Sequence, residues 1–214
     1  MATQRRTTAK ERAYQYLKAC IIDETFKQDS FLTEEEVAQN LGISRTPVRE
    51  AFLLLEAEGF VNLFPQRGAY IPTISIRDMQ EVMETRELIE LFSIDRLMAN
   101  VDAVRGMKQL IQEQEQLLEE GDIQQFIDCD SEFHNAIVSA SGNHLLMEIY
   151  SGLNDKMLRM GVKAVMSSSE RMRQVILEHQ AILRAVEAGE EIRLRAAIIS
   201  HLETTLSVLL KHKV

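Results

Sequence analysis

Over the first seventy residues, apolar positions recur in short helical runs. Ala13, Tyr16, Leu17, Cys20 and Ile21 share one face of a helix predicted over about Lys10–Ile22. Thr33 followed by Glu34, Glu35 and Glu36 has the capping-box form, in which the threonine hydroxyl takes a backbone amide and Glu36 reaches back; a short helix is expected through Asn40. Gly42 permits a tight turn, Ser44 can cap a third helix, and Pro47 is tolerated in a first turn whose amides lack intrahelical partners. In that helix Val48, Ala51, Phe52 and Leu55 form the buried stripe, which leaves Arg45 and Arg49 one turn apart and facing outward. Beyond Gly59, residues 60–64 and 69–71 read as two strands around the turn Pro65, Gln66, Arg67, Gly68.

From residue 76 onward the pattern becomes a succession of long helices. Six are predicted: Ile76–Asn100, Ala103–Glu120, Ile123–Ala140, His144–Val165, Glu170–Ala188 and Glu190–His212. The stops between them are glycine or Ser/Asn/Asp clusters, which supply left-handed C-caps or side-chain N-caps. Connections this short make neighbouring helices antiparallel. The predicted fold is therefore mainly α: an N-terminal winged helix-turn-helix in residues 1–72, a linker in 73–75, and an antiparallel six-helix bundle in 76–214.

Composition sharpens that boundary. All three prolines lie within the first 72 residues, and every methionine except Met1 lies beyond residue 78. The net charge of −9 argues against nucleic acid when taken over the whole chain, but residues 1–72 hold nine Lys/Arg against ten Asp/Glu. The acidity belongs to the second part. No apolar run approaches the roughly 18 residues of a membrane helix, and the N-terminus has no signal core, so a cytoplasmic protein with no membrane partner is expected. Cys20 and Cys129, far apart and outside any CxxC, are expected to be small buried residues.

Two constellations carry chemistry. Two helices, a glycine turn and a third helix opening on arginines have the geometry of a reader of the DNA major groove, with Arg67 at the tip of a wing. The arginines would pair with guanine edges or hold phosphates. In the bundle, Asp130 and His134 are four residues apart and share a face with Phe126, Phe133 and Ile137. His179 is in register with Val175, Ile182 and Val186, and His201 with Leu194, Ile198 and Val208. Four such side chains aimed into an apolar interior are costly unless partnered. Either each is hydrogen-bonded separately in the core, or together they hold a divalent ion such as Zn²⁺, with Ni²⁺ or Mn²⁺ as alternatives.

The run Leu41-Gly-Ile-Ser-Arg-Thr-Pro-Val-Arg-Glu-Ala51, with Leu54-Leu-Glu-Ala-Glu-Gly-Phe60 and Arg67-Gly68, resembles the DNA-binding domain of the GntR family of bacterial regulators. By matched position the resemblance implies DNA contacts from Ser44, Arg45, Thr46, Arg49, Arg67 and Gly68. Glu34, Glu35 and Glu36 depart from it, because some members carry a DNA-contacting arginine in that helix. The later run Asp130-Ser-Glu-Phe-His134, Ser141-Gly-Asn143, Glu178-His179 and His201 resembles the FCD effector domain of the FadR subfamily in its metal-containing form. That implies Asp130, His134, His179 and His201 as metal ligands, with a small carboxylate effector completing the coordination. Six helices would place the chain nearer the VanR-like branch.

Arg86 matches a position where the family often has arginine near the pocket. It would pair with an effector carboxylate or form a salt bridge to a glutamate such as Glu90. The combined expectation is a ligand-responsive repressor, not an enzyme, that binds a palindromic operator as a homodimer. A metal-dependent helical enzyme, and a regulator whose signal is the metal itself, are the alternatives.

Overall fold

The computed structural model describes residues 7–168 and 170–211. The chain divides into two compact units between Ile74 and Ser75.

The first unit runs α1 (Ala9–Ile22), β1 (Ser30–Leu32), α2 (Glu34–Leu41), α3 (Arg45–Ala57), β2 (Asn62–Phe64) and β3 (Gly68–Ile71). Its first two helices open on reciprocal capping boxes, Thr8 with Glu11 and Thr33 with Glu36. Gly42 closes α2 at φ 63°, a left-handed conformation that glycine adopts without penalty. Ser44 occupies the N-cap of α3, but its side chain makes no capping hydrogen bond, contrary to expectation. Its hydroxyl lies on an exposed residue. Val48, Ala51, Phe52 and Leu55 of α3 are buried, as are Ala13, Leu17 and Ile21 of α1, and the two helices pack together.

The sheet has the order β1-β3-β2, antiparallel throughout. Strand β1 was not anticipated. It is three residues long and exists by pairing Phe31 with Tyr70 and Leu32 with Ala69, nearly forty residues away, which no local pattern announces.

The second unit is all-helical: α4 (Ile76–Met98), α5 (Val101–Glu120), α6 (Ile123–Ser139), α7 (His144–Ser151), α8 (Asn154–Met166), α9 (Arg171–Glu187) and α10 (Glu191–Lys211). The helical class stands, but the single helix expected over His144–Val165 is two. Gly152, a poor helix former, ends α7, and Leu153 serves as the N-cap of α8. The described residues thus form seven bundle helices, and the helix count no longer points to the VanR-like branch. His212, placed at the end of the last predicted helix, lies outside the described residues.

Ser75 belongs to α4 rather than to a linker, since its hydroxyl accepts from the Asp78 amide in a capping box. Phe126, Phe133 and Ile137 of α6 are fully buried, Met107 and Ile111 of α5 are buried as well, and α6 packs on α5, α4 and α8. This puts α6, the carrier of Asp130 and His134, at the centre of the unit.

Candidate metal centre and nucleic-acid interface

One ligand atom from each of Asp130, His134, His179 and His201 lies within 4.8 Å of every other. Helices α6, α9 and α10 supply them, and the three histidines are at most 1% exposed. The Phe133 ring stacks on His179 at 4.0 Å between centroids and 8° between planes, which fixes that imidazole.

The Nδ1 atoms face outward from the cluster. His134 Nδ1 is 2.9 Å from Glu90 Oε2, His201 Nδ1 is 2.7 Å from Glu178 Oε2, and His179 Nδ1 is 2.9 Å from Gln114 Oε1. These oxygens only accept, so each neutral imidazole carries its proton on Nδ1 and its lone pair on Nε2. Oxygen partners on the far nitrogen are the usual support of metal-ligating histidines.

Burial pushes the His179 imidazole well below its ordinary range, and the neighbouring His201 and His134 push it further. Burial also lowers His201, against the opposing pull of Glu178. Both are thereby held in the neutral form that binds metal. Burial would raise the Glu90 carboxyl, but His134 and Arg86 outweigh it and hold Glu90 at about 2.

The inward nitrogens are short of partners. His134 Nε2 and His201 Nε2 are 3.1 Å apart, an arrangement that sets two lone pairs against each other unless a positive charge lies between them. His179 Nε2 is buried with no hydrogen bond, and Asp130 Oδ1 is 3.4 Å from it. Three imidazole nitrogens and a carboxylate oxygen, oriented from behind and unsatisfied in front, fit a divalent cation. Cys129 is buried but does not belong to the group.

Arg86 is buried, and its Nε donates to Glu90 Oε1 at 3.1 Å, so the salt bridge named as one alternative is present. Burial would lower the Arg86 guanidinium, but the Tyr150 hydroxyl, Glu90 and Asp130 together keep it charged. Tyr150 in turn donates to Glu90 at 2.8 Å. Arg86 also lines a small cavity of about 30 Å³ that opens toward solvent, shared with Asp130, Arg171, His201 and Thr205. Met83, Met157 and Met160 form its apolar wall. Gly161 of α8 closes it tightly, since an added Cβ there would stand 3.2 Å from the Ile127 side chain.

Sequence reasoning named Glu90 only as a partner for Arg86, and it did not find Gln114 or Arg171. Spacing on one helix links Arg86 to Glu90, but the support of His179 by Gln114 crosses from α5 to α9 and leaves no local trace.

In the first unit, Ser44, Arg45, Thr46 and Arg49 are exposed on α3 and its cap, and Arg67 is exposed in the turn between β2 and β3. Arg45, Arg49, Arg67 and Gly68 line one groove with Glu34 and Glu35. Arg45 pairs with Glu35 at 2.7 Å, and Arg49 with Glu34 at 3.6 Å. The Arg67 guanidinium lies over the Phe31 ring, 4.3 Å from its centroid. Gly68 differs from the others in having a steric role: at φ 95°, its missing Cβ would stand 2.2 Å from the Leu32 carbonyl oxygen.

A winged helix-turn-helix joined to a helical bundle with a buried His/Asp cluster is the build of a DNA-binding regulator. The chain matches the family model "Bacterial regulatory proteins, gntR family" over residues 9–71 and the FCD domain over residues 81–204. It belongs to the GntR family of transcriptional regulators, in the branch that carries an FCD domain, and it is a regulator rather than an enzyme.

It is 29% identical over 210 residues to an uncharacterized HTH-type transcriptional regulator in an unstable DNA locus of Streptomyces ambofaciens, covering 94% of this chain and 85% of the relative. It is 30% identical over 178 residues to the probable D-xylose utilization operon transcriptional repressor of Paenarthrobacter nicotinovorans, covering 81% and 76%. A solved GntR transcriptional regulator from Rhodococcus sp. RHA1 shares the fold with a TM-score of 0.80 at 22% identity, over 96% of this chain and 99% of that one. Among the described residues, no helix is long and apolar enough to cross a membrane.

Proposed function

We propose that this regulator is a cytoplasmic repressor that binds a palindromic operator as a homodimer and responds to a small carboxylate held at a metal in the FCD unit. The observation that carries this reading is the set of three outward-anchored histidines and Asp130, whose inward atoms lie together beside a cavity that also holds Arg86. Asp130, His134, His179 and His201 would hold Zn²⁺, with Ni²⁺ or Mn²⁺ as alternatives, and an effector oxygen would join as a further ligand beyond these four. When bound, the metal supplies a positive centre that draws the effector's carboxylate. Arg86 pairs with the same carboxylate from the cavity wall while Glu90 keeps the guanidinium in place.

Ser44, Arg45, Thr46 and Arg49 contact the major groove, and Arg67 with the backbone of Gly68 enters the minor groove. Exposed Leu88 and Phe92 on α4 and Leu145 on α7 line one groove together with Asp95, Arg96 and Arg195, and these exposed apolar side chains support a partner subunit on that face. The repressor named among the relatives supports the direction of regulation. The effector acts by binding the DNA-competent and DNA-incompetent arrangements with different affinity.

The test is binding of the purified protein to its own upstream intergenic DNA, titrated with small carboxylates with and without a chelator. A salt-sensitive shift that one acid alters only when metal is present supports the reading. Operator affinity that tracks free Zn²⁺ with no response to any acid would instead make the metal the signal. His179→Ala and His201→Ala should both lose metal, and unchanged metal content in both would remove the four-ligand site.

A further inference from the structure

The bundle cavity has a second arginine that the effector reading does not use. Arg171, the first residue of α9, is 2% exposed. Its Nη1 donates to Glu178 Oε1 at 2.9 Å and its Nη2 to Thr205 Oγ1 at 2.7 Å. Its Nε is buried with no hydrogen-bond partner, on a side chain that lines the cavity. An unsatisfied donor on a buried cation is costly, and a ligand oxygen would remove that cost.

The charges decide what kind of oxygen. The groups lining the cavity or bonded to the cluster supply positive charge from Arg86 and Arg171, and a divalent ion would add two more. Against them stand three carboxylates, Glu90, Glu178 and Asp130. One positive charge is left over when all three histidines are neutral. A single carboxylate neutralises it, and a second one would bury an excess anion. The acceptor for Arg171 is therefore uncharged.

We propose that Arg171 is a second anchor of the effector pocket, donating from Nε to a hydroxyl or carbonyl oxygen of a monocarboxylic acid whose carboxylate sits at the metal and Arg86. This rests on the proposed metal-centred carboxylate site and narrows its ligand to an oxygenated monoacid. Met83, Met157, Met160 and Val175 leave the rest of the cavity apolar, so the intervening part of the ligand is a short carbon chain.

The test is calorimetry on the zinc-loaded full-length protein with acetate, propionate and butyrate and with their mono-hydroxylated counterparts, repeated on Arg171→Gln and Arg171→Lys. At least one hydroxy acid should bind tenfold or more tighter than its parent acid, and either variant should remove most of that preference. A hydroxyl can also bind zinc directly, and the double-mutant comparison separates the two effects, because a preference owed to zinc persists in both variants. Thermal melting of each variant checks folding, and the wild-type preference is read without any mutation.

Acids that bind with no gain from the hydroxyl, or a gain that survives both substitutions, would overturn the role of Arg171 while leaving the carboxylate site intact. Binding of no acid at all would overturn the carboxylate site and this inference together. Tighter binding of succinate than of any monoacid would overturn the charge argument.

Discussion

Arg45, at the start of the recognition helix, is held 2.7 Å from Glu35, a residue of the preceding helix. Glu34 and Glu35 sit in the first turn of α2, where the helix dipole favours acidic side chains, and they place two carboxylates beside Arg45 and Arg49, which we propose contact DNA. A phosphate must compete with Glu35 for Arg45. Such exposed pairs are worth at most about 1 kcal/mol, so the effect is modest but readable.

Glu35→Gln should therefore tighten binding to non-operator DNA by roughly two- to fivefold and steepen the dependence on salt. Fluorescence anisotropy at several salt concentrations measures both. Weaker binding by the variant would mean that Glu35 itself reads DNA or holds Arg45 in its reading position.

Gly68→Ala should destabilise the winged unit. The new Cβ would meet the Leu32 carbonyl oxygen, a backbone atom that cannot rotate away, and the left-handed φ adds strain. A loss of about 1–3 kcal/mol is expected, seen as a melting temperature lower by several degrees. An unchanged melting curve would show that β1 moves away freely.

Glu178→Gln should lower zinc affinity by about 10- to 100-fold without removing a ligand, because Glu178 holds His201 from behind at 2.7 Å. Competition with a fluorescent chelator reads the affinity. Chelation should also lower the melting temperature of the native chain, and by less in His201→Ala, since a bound ion stabilises only the folded site. Equal zinc affinity in the native and Glu178→Gln proteins would separate this glutamate from the metal.

Cys129 should be inert toward alkylation. Burial pushes its thiol up to about 11, with Glu113 adding to the shift. At pH 8 roughly one molecule in a thousand then carries the thiolate, and modification should be about a hundredfold slower than for a free cysteine. Because the thiol titrates above this range, the rate should climb about tenfold per pH unit from 8 to 10. Mass spectrometry after timed iodoacetamide treatment checks this, and rapid labelling would reveal opening of α6.

Much of this molecule is legible in one dimension because helix faces repeat every 3.6 residues. Asp130 and His134 are one turn apart, and His179 and His201 fall in register with buried apolar residues, so their inward direction follows from spacing alone. The capping boxes at Thr33 and the glycine turn at Gly42 are also local, since their partners lie within a few residues. The motif of the recognition helix belongs to the same class of information.

What required the tertiary structure is every relationship between distant segments. Strand β1 exists only because β3 pairs with it, and a single Gly152 within a helical pattern does not by itself announce the break between α7 and α8. Inward-facing histidines do not by themselves make a centre. Only the packing of α6, α9 and α10 brings four ligand atoms within 4.8 Å, and Glu90 on α4, Gln114 on α5 and Glu178 on α9 orient the three imidazoles. Local periodicity sets the direction in which a side chain leaves its helix, whereas the group it meets depends on helix rotation and offset. Those are decided by the packing of the whole core.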